Sequence, residues 1–322
     1  MHAIRVRAAG GPEVLVWEEV PEPTPGPNEL VVDVEAVGIN FIEVYQRSGQ
    51  YNMTLPYTPG AEAAGRVRET GSGVSAFRVG DRIVTLHAKG AYAERAVVAA
   101  ERAVRIPEGV TSRQAAAVFL QGITAHYLTT STFALGSGHQ CLVHAAAGGV
   151  GLLLCQMAKM RGAFVIGTAS TAEKLALAHG AGADATINYT TEDFAAASKR
   201  ITDGAGVHVV YDSVGKTTFE GSLDALRPRG LLALFGQSSG PVPPLDPQVL
   251  NRKGSLFLTR PTIAHYLATR EELEWRSNEV LTWVRDGKLA VRIGAEFPLD
   301  KASEAQRALE SRRTTGKVLL TV

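Results

Sequence analysis

Short apolar runs separated by turn residues fill the first hundred or so positions. The segments AIRVRA, LVWEEV, LVVDVEAVGI, AAGRVRET, DRIVTLH and AYAERAVV are rich in Val and Ile, with Gly and Pro clusters such as PEPTPGPNE and GSGV between them. Branched side chains favour pleated backbone, and Gly and Pro punctuate it, so these read as short strands of a barrel or sandwich. PEPTPGP reads either as an extended polyproline connector or as a plain surface loop. Near Thr111 the period changes. TSRQAAAVFLQGITAHYLTT combines a hydroxyl start with helical spacing. After it, apolar strands (CLVHA, AFVIGTA, ATINY, VHVVYDSV, LLALFG) alternate with helices (GVGLLLCQMAKMRG, TAEKLALAHGAG closed by Gly180, EDFAAASKRITDG, TTFEGSLDALRPRG). That alternation predicts a doubly wound parallel sheet from about Gln121 to Ser255. The tail breaks the rhythm: TREELEWRSNEVLTWVRDGKL and KASEAQRALESR read as helices and GKVLLTV as a final strand. The expected fold is α/β, with a β-rich domain whose first part is 1–121, a doubly wound domain over 122–257, and a return of the tail, 258–322, to the first domain.

Composition narrows the chemistry. Of 322 residues, 45% are hydrophobic and 20% charged, enough apolar material for a real core. A formal net charge of +1 and the lack of a basic stripe argue against nucleic acid as the main ligand. Two cysteines, Cys141 and Cys155, exclude a disulfide framework and any site needing three or four thiolates, and they suit a reducing compartment. The start, MHAIRVRAAGGPEVLVWEEV, lacks the apolar core of an export signal, and no run approaches about 18 apolar residues; a cytoplasmic location and no membrane span are expected. None of the eight histidines forms a close ligand pair, and Gly-x-Ser-x-Gly is absent, so neither a zinc site nor a hydrolase elbow is expected. His144 reads as a packed, hydrogen-bonded residue of a strand.

The stretch HAAAGGVGLLLCQMAK, from His144, carries the first chemical signal. Its small residues lie between a predicted strand and helix, the context of a dinucleotide-binding turn. Gly148 would let backbone approach a pyrophosphate, Gly151 would let the helix pack close, and the first helical N–H groups would face the phosphate. Ala146 stands where the first glycine of the fingerprint belongs. About 20 residues on, an NAD site places an acid for the ribose 2′-hydroxyl. Here the sequence runs Gly167-Thr168-Ala169-Ser170-Thr171-Ala172-Glu173-Lys174, with no acid ending the strand. A hydroxyl at Ser170 and an ammonium at Lys174 suit a 2′-phosphate, so NADPH is expected over NADH. The alternative is that Ser170 only caps the next helix and Lys174 is a solvated helix residue.

Several segments carry a resemblance. VGINFIEVYQRSGQY (37–51), PGAEAAGRV (59–67), GDRIV (80–84), HAAAGGVG (144–151), INYTTEDF (187–194), VYDSVG (210–215), FGQSSG (235–240), KGSLFLTRP (253–261) and SRRTTGK (311–317) together resemble the zinc-free quinone oxidoreductases of the medium-chain dehydrogenase/reductase superfamily, the group that includes ζ-crystallin. The resemblance implies a GroES-like catalytic domain, a Rossmann domain and a cofactor in the cleft between them. Where zinc-dependent relatives carry Gly-Ile-Cys and Gly-His-Glu, this chain has Gly38-Ile39-Asn40 and Gly60-Ala61-Glu62, so metal is not expected.

Carried over by position, the resemblance implies that Asn40, Phe41, Ile42 and Tyr45 line the nicotinamide and substrate pocket, with Asn40 and Tyr45 holding the substrate carbonyl. Thr124, Gly148, Gly149, Val150 and Gly151 would hold the pyrophosphate side, and Ser170, Lys174 and Tyr189 the 2′-phosphate. Ser213, Phe235, Gly236, Ser238 and Ser239 would come from later strand ends, Leu258, Thr259 and Arg260 would flank the nicotinamide, and Arg312 would approach from the tail. The implied activity is transfer of reducing equivalents from NADPH to a quinone without metal. The alternatives are reduction of an α,β-unsaturated carbonyl by the same cofactor, and a ζ-crystallin-like NADPH-binding protein with an RNA-binding role. A homodimer is implied too, through an edge of the Rossmann sheet to which LLALFG and the Pro-rich GPVPPLDP loop are fitted.

Overall fold

The structure, a computed structural model, describes residues 1–311 and 313–322. The chain forms two compact units, Met1–Gln121 with Thr269–Val322, and Gly122–Ala268. The tail belongs to the first unit, but the change falls at Thr269, not at 258. The reason is that Phe257–Thr259 forms a strand of the second unit's sheet.

Among the described residues, the first unit holds a two-stranded ribbon (His2–Arg5 with Val16–Glu19) and a seven-stranded sheet. The sheet runs Ile293–Pro298, Lys317–Thr321, Glu29–Ile39, Ala63–Thr70, Arg82–Thr85, Ala103–Arg105. Arg95–Ala99 pairs with the first half of Glu29–Ile39, and Lys317–Thr321 with the second half. Seven apolar residues of that central strand are buried, from Leu30 to Ile39, so it can take partners and packing on every side. The core gathers Ile4, Val6, Leu30, Val37, Ile83, Val98 and Leu320. Besides the three-residue strand Ala103–Arg105, two longer elements lie outside the sequence expectations. NFIEVYQR contains a helix, Phe41–Arg47, signalled by Asn40-x-x-Glu43, the spacing of a capping box. IGAEFP forms the alternating edge strand Ile293–Pro298. The helix Ser112–Tyr127 starts as its TSRQ motif indicates: Gln114 N donates to Thr111 Oγ1 at 3.1 Å, and Thr111 N to Gln114 Oε1 at 2.9 Å.

The second unit is a six-stranded sheet in the order Ala185–Asn188, Phe164–Ala169, Gln140–Val143, Val207–Asp212, Leu226–Leu234, Phe257–Thr259, with every pair parallel. Right-handed crossover helices are the usual link between parallel strands, and the helical patterns in the sequence fill that role here. Three expectations change. TTFEGSLDALRPRG is helical only over Phe219–Ala225, and Leu226 already pairs with Val207; a proline at 228 cannot continue a helix. The helix Ala172–Gly180 is closed by Gly182, at φ 102°, because glycine tolerates the left-handed turn that follows a helix end. LLALFG is not the sheet edge: Phe257–Thr259 covers it and forms the edge itself.

Candidate functional site

Because the strands of the second unit are parallel, their C-terminal ends fall on one side of the sheet. The 144–151 turn leaves Gln140–Val143, and Ser170 leaves Phe164–Ala169. Tyr189 follows Ala185–Asn188, Ser213 follows Val207–Asp212, Phe235 and Gly236 follow Leu226–Leu234, and Arg260 follows Phe257–Thr259. Chain order reverses between Gln140–Val143 and Val207–Asp212, the switch point at which open α/β sheets bind ligands.

The turn at that point is built by an alanine other than the one its fingerprint suggested. Ala145, at φ 50°, takes the left-handed conformation, which costs a non-glycine residue about 1 kcal/mol. Ala146 is fully buried and donates its N–H to Thr168 O at 3.0 Å, an ordinary link to the next strand. Gly148 is extended and leads into the helix Gly149–Met160. A Cβ on Gly151 would lie 2.3 Å from Ala145 O and 2.8 Å from Ala146 Cα, and one on Gly148 would lie 3.1 Å from Ala145 O. Helix and strand therefore meet without side chains between them. The Gly148 N–H is spent on Ala145 O at 2.8 Å, and the first-turn N–H groups of Gly149, Val150 and Gly151 form a cradle that fits a pyrophosphate.

Beneath the turn, a buried chain of polar groups locks two strand ends together. His144 bonds Thr168 Oγ1 through Nδ1 at 2.9 Å and Ser222 Oγ through Nε2 at 3.0 Å. Ser222 Oγ donates to Asp212 Oδ2 at 2.8 Å, so it must accept from a protonated Nε2, leaving Nδ1 to accept from Thr168. Burial pushes the His144 pKa down against the opposing pull of Asp212, and His144 is the neutral packed residue its context suggested. Asp212 also accepts from Val214 N at 2.7 Å, Gly215 N at 3.0 Å and Thr218 Oγ1 at 2.7 Å. It thereby fixes the loop that carries Ser213. That loop takes Ser238 N on Ser213 O at 3.2 Å and Ser239 N on Val214 O at 2.8 Å, while Gly236 approaches so closely that a Cβ would stand 2.5 Å from Ser213 O. Ser213, Gly236, Ser238 and Ser239 thus come together. Sequence reading missed Asp212; an acid just before a Ser-Val-Gly turn was its only signal.

At the end of Phe164–Ala169 the helix cap is Thr171, whose Oγ1 accepts from Lys174 N at 3.3 Å. Ser170 is therefore not the cap. Tyr189 lies alongside, since Asn188 pairs with Ala169 and Tyr189 N donates to Ala169 O at 3.3 Å. Thr124 is buried in its helix. Leu258 and Thr259 pair with Leu232 and Ala233. Gly236, Leu258 and Arg260 share a cavity of about 270 Å³ with Leu234, Pro241 and Val242.

In the first unit, Phe41 and Tyr45 lie on one helix with ring centroids 6.2 Å apart, and Tyr45 meets Tyr51 edge-on at 5.6 Å; Ile42 is exposed on the same helix. Asn40 is placed differently from expectation. Its Nδ2 donates to Gly38 O at 3.1 Å and to Glu62 Oε2 at 2.9 Å, and its Oδ1 accepts from Lys317 Nζ at 2.7 Å. Both amide hydrogens are spent inside the unit, so the Asn40 side chain has none to offer a substrate carbonyl. Lys317 also bonds Glu62 Oε2 at 2.6 Å, with both groups essentially unexposed. Glu43 accepts from Asn40 N at 2.6 Å, and burial raises its pKa to about 8 against the pull of Lys317. An ammonium thus stands between residues 40 and 62, where a metal would need donors. That set does not fit a metal ion, and among the described residues no three His, Cys, Asp or Glu side chains are grouped to hold one. Lys317 and Glu62 went unrecognised in the sequence, although Lys317 ends the SRRTTGK segment. Arg312 lies outside the described residues.

Comparison with known proteins agrees with this frame. Residues 26–108 match the family model of the alcohol dehydrogenase GroES-like domain, and residues 149–281 that of the zinc-binding dehydrogenases. A quinone oxidoreductase of Pseudomonas aeruginosa is 46% identical over 98% of each chain. The crystal structure of Escherichia coli quinone oxidoreductase complexed with NADPH superposes with a TM-score of 0.98 at 45% identity, covering 100% of both chains. A 2-haloacrylate reductase from Burkholderia is 40% identical over 98% of this chain and 97% of its own. By sequence and by fold, then, the chain belongs to the quinone oxidoreductases of the medium-chain dehydrogenase/reductase superfamily.

Proposed function

We propose that this chain is an NADPH-dependent quinone oxidoreductase that works without a metal. The observation that carries the cofactor choice is the end of Phe164–Ala169: no carboxylate, a non-capping hydroxyl at Ser170, Lys174 in the next helical turn and Tyr189 alongside. A carboxylate there would repel a 2′-phosphate; an ammonium attracts it. Gly149, Val150 and Gly151 bind the pyrophosphate through backbone N–H groups, Gly148 lets the backbone approach it, and Thr124 belongs to the same binding set. Ser213, Phe235, Gly236, Ser238 and Ser239 complete the cofactor's bed, and Leu258, Thr259 and Arg260 flank its nicotinamide. When bound, NADPH supplies a hydride, and the protein's part is orientation and exclusion of water. Phe41, Ile42 and Tyr45 are the residues of the first unit assigned to the quinone. With the Asn40 hydrogens committed, the Tyr45 hydroxyl is the donor for the quinone oxygen, and water completes protonation.

The test follows NADPH and NADH absorbance separately with naphthoquinones, benzoquinones and enals, with and without chelator. NADPH oxidation by quinones, unaffected by chelator, is expected; silence with every quinone would refute the proposal. Faster turnover of enals than of quinones would favour the second reading, reduction of α,β-unsaturated carbonyls, which the likeness to a 2-haloacrylate reductase supports.

The chain works as a homodimer in the cytoplasm in this proposal. The edge strand Phe257–Thr259 leaves Phe257 60% exposed, and pairing with a second copy would cover both its ring and its free backbone groups. The free, buried state of Cys141 and Cys155 suits a reducing compartment, and among the described residues no helix is long and apolar enough to cross a membrane.

A further inference from the structure

Lys317 is the first residue of the last strand, and the pairing of Val318 with Ile39 brings it beside Asn40. Its side chain is 1% exposed and that of Glu62 is 0% exposed. Removing two such charges from water costs several kcal/mol each, recovered only by close pairing and by filling the remaining hydrogen-bond sites. Glu62 meets both conditions. Its Oε2 accepts from Lys317 and Asn40, and its Oε1 accepts from Leu120 N at 2.7 Å.

We propose that Lys317, held by Glu62, is the positioning residue that sets the Gly38–Asn40 corner, and with it the helix bearing Phe41 and Tyr45, for quinone reduction. The inference rests on the oxidoreductase reading above. Three features of the geometry argue for positioning rather than plain packing. Both hydrogens of the Asn40 amide are spent on Glu62 and Gly38 O and its oxygen accepts from Lys317, so the pair grips the residue that starts the helix Phe41–Arg47. A capping asparagine normally gives its side-chain oxygen to the helix N–H groups alone; here that oxygen also accepts from Lys317 Nζ, and Glu43 closes the capping box from the other side through Asn40 N. Third, a Cβ at Gly38 would stand 2.1 Å from Glu62 Oε2 and 2.7 Å from Ala116 O. The strand end is pressed against the carboxylate, so a shift of the ion pair moves the corner with it. Lys317 itself is too deeply buried to touch substrate.

A displacement of about 1 Å at reacting groups can cost on the order of 100-fold in rate. The experiment compares wild type, Lys317→Met/Glu62→Gln and Lys317→Arg. The double variant removes both charges and keeps the volume, and buried pairs replaced together are often neutral to stability. We expect it to fold, with kcat for quinone down at least tenfold, while the dissociation constant for NADPH, read by nucleotide fluorescence, changes less than threefold, because the phosphates are held by the other unit. Lys317→Arg should recover part of the lost kcat. A folded double variant with kcat within twofold of wild type overturns the inference, as does a loss of NADPH affinity as large as the loss of kcat. If the double variant does not fold, Lys317→Arg decides: lowered kcat with unchanged NADPH affinity supports positioning, and wild-type kcat overturns it. A wild type that oxidises NADPH with no quinone refutes the functional reading instead.

Discussion

Lys174 sits in the first turn of its helix, where its backbone N–H is tied to Thr171, and the proposed function assigns its ammonium to the 2′-phosphate. Losing one charge-assisted contact removes about 1.4 kcal/mol, or tenfold. Lys174→Ala should therefore raise KM for NADPH about tenfold and leave KM for NADH within twofold; equal effects on both would remove Lys174 from the 2′-phosphate site. Glu43 gives a second test. Its folded pKa of about 8 lies above the ordinary 4.5, so between these values the folded chain holds a proton that the unfolded chain has released. Its stabilising contribution is complete below about pH 4.5, falls as pH rises, and is gone above about pH 8. Beyond burial, the groups acting on it are Lys317 at the start of the last strand, the Asn40 N–H and Glu62 just before Ala63–Thr70, and Tyr57 and Tyr92 respond to its charge in turn. Glu43→Gln should flatten the fall of denaturant-derived stability between pH 5 and 8, and an unchanged slope would assign that proton elsewhere. At this scale the sequence showed charge and hydroxyls by position. It could not show Asn40 saturated by Lys317, because 277 residues separate them.

Elements were the most legible level. The switch from period-two strands to alternating helices appears in the chain as a change of pattern near Thr111, and the helix Ser112–Tyr127 starts there. Errors fell where one local rule competed with another. Leu226–Leu234 begins inside an apparent helix because pairing with Val207 and the intolerance of a helix for Pro228 outweigh local propensity. Phe41–Arg47 was hidden by its seven-residue length, too short to show periodicity. The glycine turn was readable, yet its strain sits at Ala145 and its closest contact at Gly151. Gly151→Ala would force a methyl onto the Ala145 carbonyl, an overlap costing about 2 kcal/mol. Urea denaturation should show that loss together with weaker NADPH binding, whereas full stability would mean that the helix can slide away from the strand.

At the scale of the whole molecule, the return of the tail matters because it delivers Lys317–Thr321 to the strand Glu29–Ile39. The boundary at Thr269 was not legible, since the short segment Phe257–Thr259 looks like the start of a tail until it is seen paired as an edge. That edge is the proposed dimer contact. Phe257→Glu should shift the mass measured by light scattering from dimer to monomer; an unaltered dimer would place the interface elsewhere.

The sequence by itself determined the alternation of strands and helices in the second unit, the glycine turn at the end of one strand, the missing acid at the end of the next, and the absence of thiolate ligands. These are local properties, written in periods of two or 3.6 residues and in which residue stands at a strand end. Tertiary structure alone decided that Ala145 carries the turn's strain, that Asp212 braces the loop of Ser213, and that a buried ammonium closes the corner at Asn40. The last of these depends on Asn40 and Lys317, 277 residues apart, meeting at 2.7 Å, and partners at that separation are chosen by packing rather than by neighbours along the chain.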